Sequence, residues 1–226
     1  MSLRLHGVVR ARHRWPDGSP FRLIVVDDLA VVVSDHHSEL TEQDATANLA
    51  GLCALLLAGP VLPLRIGTVA VDEEAARAAV LALTVPALRA HLERLDGLAE
   101  MHVRLAFDEE TALRAVFDEG AFTGGGRDLA STIGRGEQIA QAVAAWRGKQ
   151  ADALLAPVSA LSRSVAMLDA REHTEDLRAF LVPLDQAEAV RTAVAGFDGV
   201  VATCTGPLPA FHFLDLAPQP VSRWGW

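Results

Sequence analysis

The sequence predicts an α+β fold in two domains. The first is an N-terminal α/β domain with a mixed sheet over residues 1–96. The second is an elaborated, ferredoxin-like C-terminal domain over 97–226, with a long helical insertion at about 121–175 and a Pro/aromatic tail. Three observations carry this reading. Short apolar runs alternate with capped helical patterns through the first half. An Asp96-Gly97 stop is followed by the clearest alternating strand in the chain. The second half then reads β-α, long insertion, β-α-β. With 226 residues, half of them apolar, the chain is long enough to fill one large core or two small ones.

The first half opens with strands predicted at 3–11, 21–26 and 29–33. The Trp15-Pro16-Asp17-Gly18 loop joins the first two, and Asp27-Asp28 turns the hairpin between the next two. The runs LIVV and LAVVV lack polar alternation, which fits strands covered on both faces. Thr41 with Asp44 three residues on starts a helix whose buried stripe is expected at Leu49, Leu52, Cys53 and Leu56, ending at Gly59-Pro60. Residues 61–71 then read as one strand, with Pro63 arguing that it lies at an edge or begins irregularly. Asp72-Glu73-Glu74 puts negative charge at the start of a second helix. Thr84 opens a third, with Val85, Leu88, Leu92 and Leu95 on one face.

In the second half, Met101, Val103, Leu105 and Phe107 point to one side of a strand, and Glu100, His102 and Arg104 point to a wet side. A helix from Asp108 carries Leu113, Val116 and Phe117. Residues 123–136, with five glycines, read as a mobile loop. Helical stripes follow at Ile139, Val143 and Trp146, and at Leu154, Val158, Leu161, Val165 and Leu168, with Pro157 at a kink or a second start. A strand at 177–184, a helix at 185–196 capped by Asp185 with Glu188, and a strand at 199–205 complete the order.

Composition narrows the function. The formal charge of −9 and a pI near 5.3 would be repelled by a phosphate backbone, so nucleic acid is not an expected partner. Lys149 is the only lysine, Asn48 the only asparagine, and tyrosine is absent, a bias of the kind a GC-rich genome imposes. Cys53 and Cys204 have no CxxC spacing, so neither zinc nor a disulfide framework is indicated and a reducing cytoplasm fits. The N-terminus has no apolar signal core. The uncharged stretch 45–64 is broken by Gly59-Pro60 and Pro63, and its helical part falls short of a roughly 30 Å bilayer core, so no membrane span is expected.

Candidate chemistry is sparse. Asp35-His36-His37 with Glu39 concentrates metal-ligand types, but adjacent histidines on extended chain point apart and no HxxxH or HxxE element supplies further ligands. A solvated polar loop is the preferred reading over a metal site. No GxSxG elbow is present, and both cysteines sit in apolar segments, so neither nucleophile is indicated. The run TGGGRDLASTIGRG lacks GxxxxGK[ST] and a proper GxGxxG, and it follows a helix, so a linker is preferred over a phosphate loop. The tail TGPLPAFHFLDLAPQPVSRWGW combines prolines with aromatic residues, which suits either a frayed terminus or a docking peptide.

Three segments together resemble the gas vesicle protein GvpF/GvpL family: LPLRIGTV at 62–69, AFLVP at 179–183 and TGPLPAFHF at 205–213. LERLDG at 92–97 followed by EMHVRL is similar as well. The family's forms are closer to LPvRFGT and GPWPPYSF. Here Ile66 stands where phenylalanine is usual, and Leu208, Ala210, Phe211 and His212 replace tryptophan, proline, tyrosine and serine.

The resemblance implies a minor, non-catalytic component of gas vesicles, without a cofactor or metal. It would act in the cytoplasm through contacts with the small hydrophobic shell subunit and other accessory gas vesicle proteins. The expected contact residues are Arg65, Gly67, Thr68, Pro207, Pro209, Phe211 and Phe213. An apolar subunit with unpaired strand edges aggregates until incorporated, so a helper should offer complementary apolar surface. The rival readings are a small-molecule-binding regulatory module and a metal-assisted hydrolase using Asp35, His36 and His37.

Overall fold

In the computed structural model, residues 2–15, 19, 21–36, 40–119, 129–170, 172 and 174–214 are described. Contacts divide the chain into two compact units, Met1–Glu100 with Pro207–Trp226, and Met101–Gly206. The division expected at 96/97 keeps the C-terminal segment with the second half, whereas the described residues from Pro207 group with the first unit.

In the first unit, β1 (Leu3–Arg10) and β3 (Leu29–Asp35) pair antiparallel, β2 (Arg22–Val26) pairs with β3, and β4 (Leu62–Pro63) and β5 (Val69–Ala70) both pair with β1. The order is β2-β3-β1-β4, with β5 beside β1. Every one of these pairings is antiparallel, so the mixed sheet expected here is corrected to an antiparallel one. For β2 and β3 the reason is the connection, because the two-residue turn at Asp27-Asp28 returns the chain directly and Asp27 adopts φ 56 to make it; the pairings of β1 with β3, β4 and β5 join segments farther apart along the chain. Leu29, Ala30, Val31, Val32 and Val33 are all buried, as an apolar run without alternation requires.

Helix α1 (Glu42–Leu56) starts in a complete capping box, with the Thr41 hydroxyl accepting from the Asp44 amide and the Asp44 carboxylate accepting from the Thr41 amide. Its buried face is Asn48, Leu52, Leu55 and Leu56. Leu49, expected inside, is exposed, and Cys53 is half-buried. Leu52 and Leu55 close a core with Val9, Phe21, Ala30, Val32 and Val61. Helices α2 (Glu73–Ala82, capped by Asp72) and α3 (Val85–Arg94) also pack on the strands and bury Ala76, Val80, Leu88 and Leu92. Thr84 stands at the α3 N-cap position but makes no side-chain cap bond.

Residues 61–71 are not the single strand expected. β4 and β5 are separated by a turn in which the Thr68 amide and hydroxyl both donate to the Arg65 carbonyl, at 3.2 and 2.6 Å, and Gly67 takes φ 85. Glycine suits the third position of such a turn because it has no Cβ to clash at positive φ.

The second unit holds a four-stranded sheet in the order β7-β8-β6-β9, formed by β6 (Leu98–Ala106), β7 (Ser164–Leu168), β8 (Glu175–Pro183) and β9 (Val201–Leu208). α4 (Glu109–Asp118), α5 (Leu129–Leu161) and α6 (Ala187–Ala195) complete it. Met101, Val103, Leu105 and Phe107 meet Ala151, Leu155 and Val158 of α5, Phe180 and Val182 of β8, and Val190 and Val194 of α6. The alternation of β6 thus builds this core as the sequence indicates.

Four expectations in this half are corrected. Residues 129–136 are the start of α5 rather than loop, and 120–128 lie outside the described residues. The stripe ending at Val165 and Leu168 is interrupted, because α5 stops at Leu161 and both residues belong to β7, paired with β8. Phe117 is exposed, while Ala112 and Val116 take the buried face of α4. Asp185 and Glu188 make no cap: a 3-10 turn at Leu184–Gln186 precedes α6, and Glu188 pairs with Arg191 instead.

Candidate functional site

The first unit carries an open groove of about 840 Å³, walled by one face of α1, the 63–68 turn, the end of α2 and the segment around Phe211. Each wall has a local cause. On α1, Ala45, Asn48 and Leu49 share one face through the three- and four-residue spacing of a helix. The Thr68 bonds to the Arg65 carbonyl fold the second wall back, displaying Ile66 and Arg65 at the surface. β4 lies close on β1 because Gly7 has no side chain: a Cβ there would stand 2.8 Å from the Leu62 carbonyl oxygen.

Asn48, on the α1 wall, is tied to the sheet behind it. β1 has a bulge between Leu5 and Gly7, leaving His6 as the extra residue. Its Nδ1 lies 2.6 Å from Asn48 Oδ1 and its Nε2 2.8 Å from the Ser34 hydroxyl. An amide oxygen only accepts, so Nδ1 carries the proton, and in the neutral ring Nε2 then accepts from the Ser34 hydroxyl. Burial lowers the His6 pKa, with Arg4 acting in the same direction, and the Asn48 bond opposes it. Burial thus favours the neutral imidazole, whose two bonds link α1 to the sheet.

The last wall is fixed by a carboxylate that the alternation of β6 assigns to water. Glu100 is fully buried, its Oε2 accepts from the His212 backbone amide at 2.9 Å, and its Oε1 lies 2.6 Å from His212 Nδ1. The Arg94 guanidinium donates to the Phe213 carbonyl at 2.6 Å. Leu208, Pro209 and Ala210 are buried just before, and a 3-10 turn at Phe211–Phe213 presents Phe211 to the groove.

Of the seven residues expected to make contacts, three line this groove: Arg65, Thr68 and Phe211. Gly67 shapes the turn that displays two of them. Pro207 and Pro209 lie at and just beyond the end of β9, and Phe213 is half-buried with its carbonyl held by Arg94. Asn48, Leu49, Ile66 and Leu83 also line it, and the sequence does not mark them as contacts. Leu49 has a signal, its four-residue spacing from Ala45, but the helical wheel assigns it to the core.

The other candidates are elsewhere. Asp35 closes β3 and lies 3.8 Å from Arg22, and the His36 amide donates to the Ser2 carbonyl, while His37 and Glu39 fall outside the described residues. Cys53 and Cys204 are free and half-buried, and burial raises both thiol pKa values, the opposite of what a thiolate nucleophile needs. Among the described residues no single helix is long and apolar enough to cross a membrane.

Comparison with known proteins adds the family. No curated protein matches the chain. The crystal structure of gas vesicle protein GvpF from Microcystis aeruginosa is similar at 18% identity and a TM-score of 0.77, with 94% of this chain and 98% of that one covered. GvpF from Anabaena sp. PCC7120 is similar at 18% identity and a TM-score of 0.74, over 94% and 97%. At this identity the likeness is one of fold. The family described as gas vesicle synthesis protein GvpL/GvpF matches residues 6–215, and a match across nearly the whole sequence settles membership: the chain belongs to the GvpL/GvpF family.

Proposed function

We propose that this protein is a non-enzymatic accessory of gas vesicle assembly, working in the cytoplasm and at the vesicle, and that its groove receives the small hydrophobic subunit of the shell. Other accessory gas vesicle proteins complete its partners. The supporting observation is the convergence of Leu49, Ile66 and Phe211, exposed at 39%, 44% and 37%, around one concave surface with apolar walls. Water covering such a surface is released when an apolar partner replaces it. Arg65, Gly67 and Thr68 form one side of this site, and Pro207, Pro209 and Phe213 carry Phe211 on the other. A division into two domains near Gly97 is part of this reading. The order β7-β8-β6-β9, with helices after β6 and β8, supports a ferredoxin-like architecture for the second, elaborated by α5.

The test is co-purification of the shell subunit with the full chain and with Leu49→Asp and Phe211→Asp. Both positions are exposed, so each variant is expected to keep its thermal unfolding midpoint. Each is expected to lose about 2 kcal/mol of binding, roughly thirtyfold, if the groove is the site. Undiminished capture by both variants would remove the groove from the function. A second reading, a small-molecule-binding regulatory module, draws on the groove volume, which lies within the range of ligand clefts. Saturable thermal stabilisation by one metabolite, abolished by Leu49→Asp, would favour it.

A further inference from the structure

Resting on the groove reading, we infer that the segment of the shell subunit that enters the groove is an amphipathic helix, with an acidic side chain flanking its apolar stripe and pairing with Arg65.

The helical conformation follows from where the groove's backbone bonds already go. An added strand needs free amides and carbonyls along its path. Beside the groove, the Leu64 amide is donated to the His6 carbonyl, and the Thr68 amide to the Arg65 carbonyl. The Thr68 carbonyl accepts from Leu5, and Pro63 has no amide hydrogen. An extended peptide laid here would bury its own polar backbone against apolar side chains without hydrogen-bond partners. A helix satisfies its backbone internally and presents only side chains. The α1 wall is itself helical, with Ala45 and Leu49 one turn apart, the spacing of a ridge against which the side chains of a second helix pack.

The acid follows from charge. Arg65 lies at the groove and is exposed, and its guanidinium has no hydrogen-bond or ion-pair partner among the described residues. Nearby cations are engaged: Arg4 lies 3.4 Å from Asp44, and Arg94 holds the Phe213 carbonyl. No carboxylate lines the groove among the described residues. In a chain of net charge −9, an available cation at an apolar site selects a partner bearing the opposite sign and disfavours a basic one.

Overlapping peptides covering the shell subunit, added to the full-length protein, test this by fluorescence anisotropy with circular dichroism. The tightest-binding peptide is expected to gain helicity on binding and to carry Asp or Glu beside its apolar stripe. Exchanging that acid for Lys should weaken binding about two- to fivefold, the range of a partly exposed ion pair. Arg65→Glu should reverse the preference between the two peptides. A best binder that stays extended, that lacks an acid, or whose ranking ignores Arg65→Glu overturns the inference, as does a series in which no peptide binds. Failure of the groove reading is a separate result: there the whole shell subunit is captured equally by Leu49→Asp.

Discussion

His6 shows how one side chain links the sheet to the groove. It sits at a bulge of β1, buried, between Asn48 of α1 and Ser34 of β3. Burial holds its pKa below the ordinary value of 6.5, and His13 is lowered for the same chief reason. Below about pH 6.5 the unfolded chain therefore binds protons that the folded chain refuses, so the contribution of these two groups to stability is complete above that pH and declines as pH falls. Thermal or urea denaturation across pH 5 to 8 is expected to show this decline. His6→Phe, which leaves Asn48 and Ser34 without their partner, should cost about 1–3 kcal/mol at the alkaline end and make the decline shallower. An unchanged slope in the variant would show that His6 does not contribute. None of this is visible in the sequence, because a bulge is a property of pairing and Leu5-His6-Gly7 reads as ordinary strand. Glu100 is similar: alternation along β6 turns it toward water, yet it is fully buried and bonded to His212, distant in sequence.

Among the elements, local chemistry is legible where it is self-contained. Thr41 with Asp44 predicts the start of α1, Asp72 that of α2 and Asp108 that of α4, and each side chain accepts the amide three residues on. Thr41→Ala is expected to cost about 1 kcal/mol of stability, read from the denaturation midpoint, and to increase hydrogen exchange in the first turn of α1 ahead of the rest of the helix. Where an element depends on its neighbours, local pattern misleads. Residues 61–71 have the composition of one strand, yet the chain pairs with β1 only at two short places and spends the interval on the Arg65–Thr68 turn. β7 reads as helix because Val165 and Leu168 continue the spacing of α5. Pairing with β8 overrides that spacing, and the edge position leaves Val165 and Met167 exposed.

For the molecule as a whole, the chain's last described residues return to its first unit. Leu208, Pro209 and Ala210 are buried, and the Glu100–His212 and Arg94–Phe213 bonds hold the Phe211–Phe213 turn beyond them. A chain ending at Gly206 is therefore expected to lose hydrogen-exchange protection around Leu92 and Glu100, since it leaves a fully buried carboxylate without His212. Protection around Phe180 and Val190, packed within the other unit, should persist. Equal loss in both would contradict this assignment. The α+β class, most helix starts, the alternating core of β6 and the family likeness are all written in the chain itself, because capping, periodicity and short motifs act over a few residues. Long-range packing was needed to make the first sheet antiparallel throughout, to bring Glu100 inside, and to set Arg65 and Phe211 around one groove. These outcomes depend on contacts between residues far apart along the chain, whose free energy no local pattern encodes.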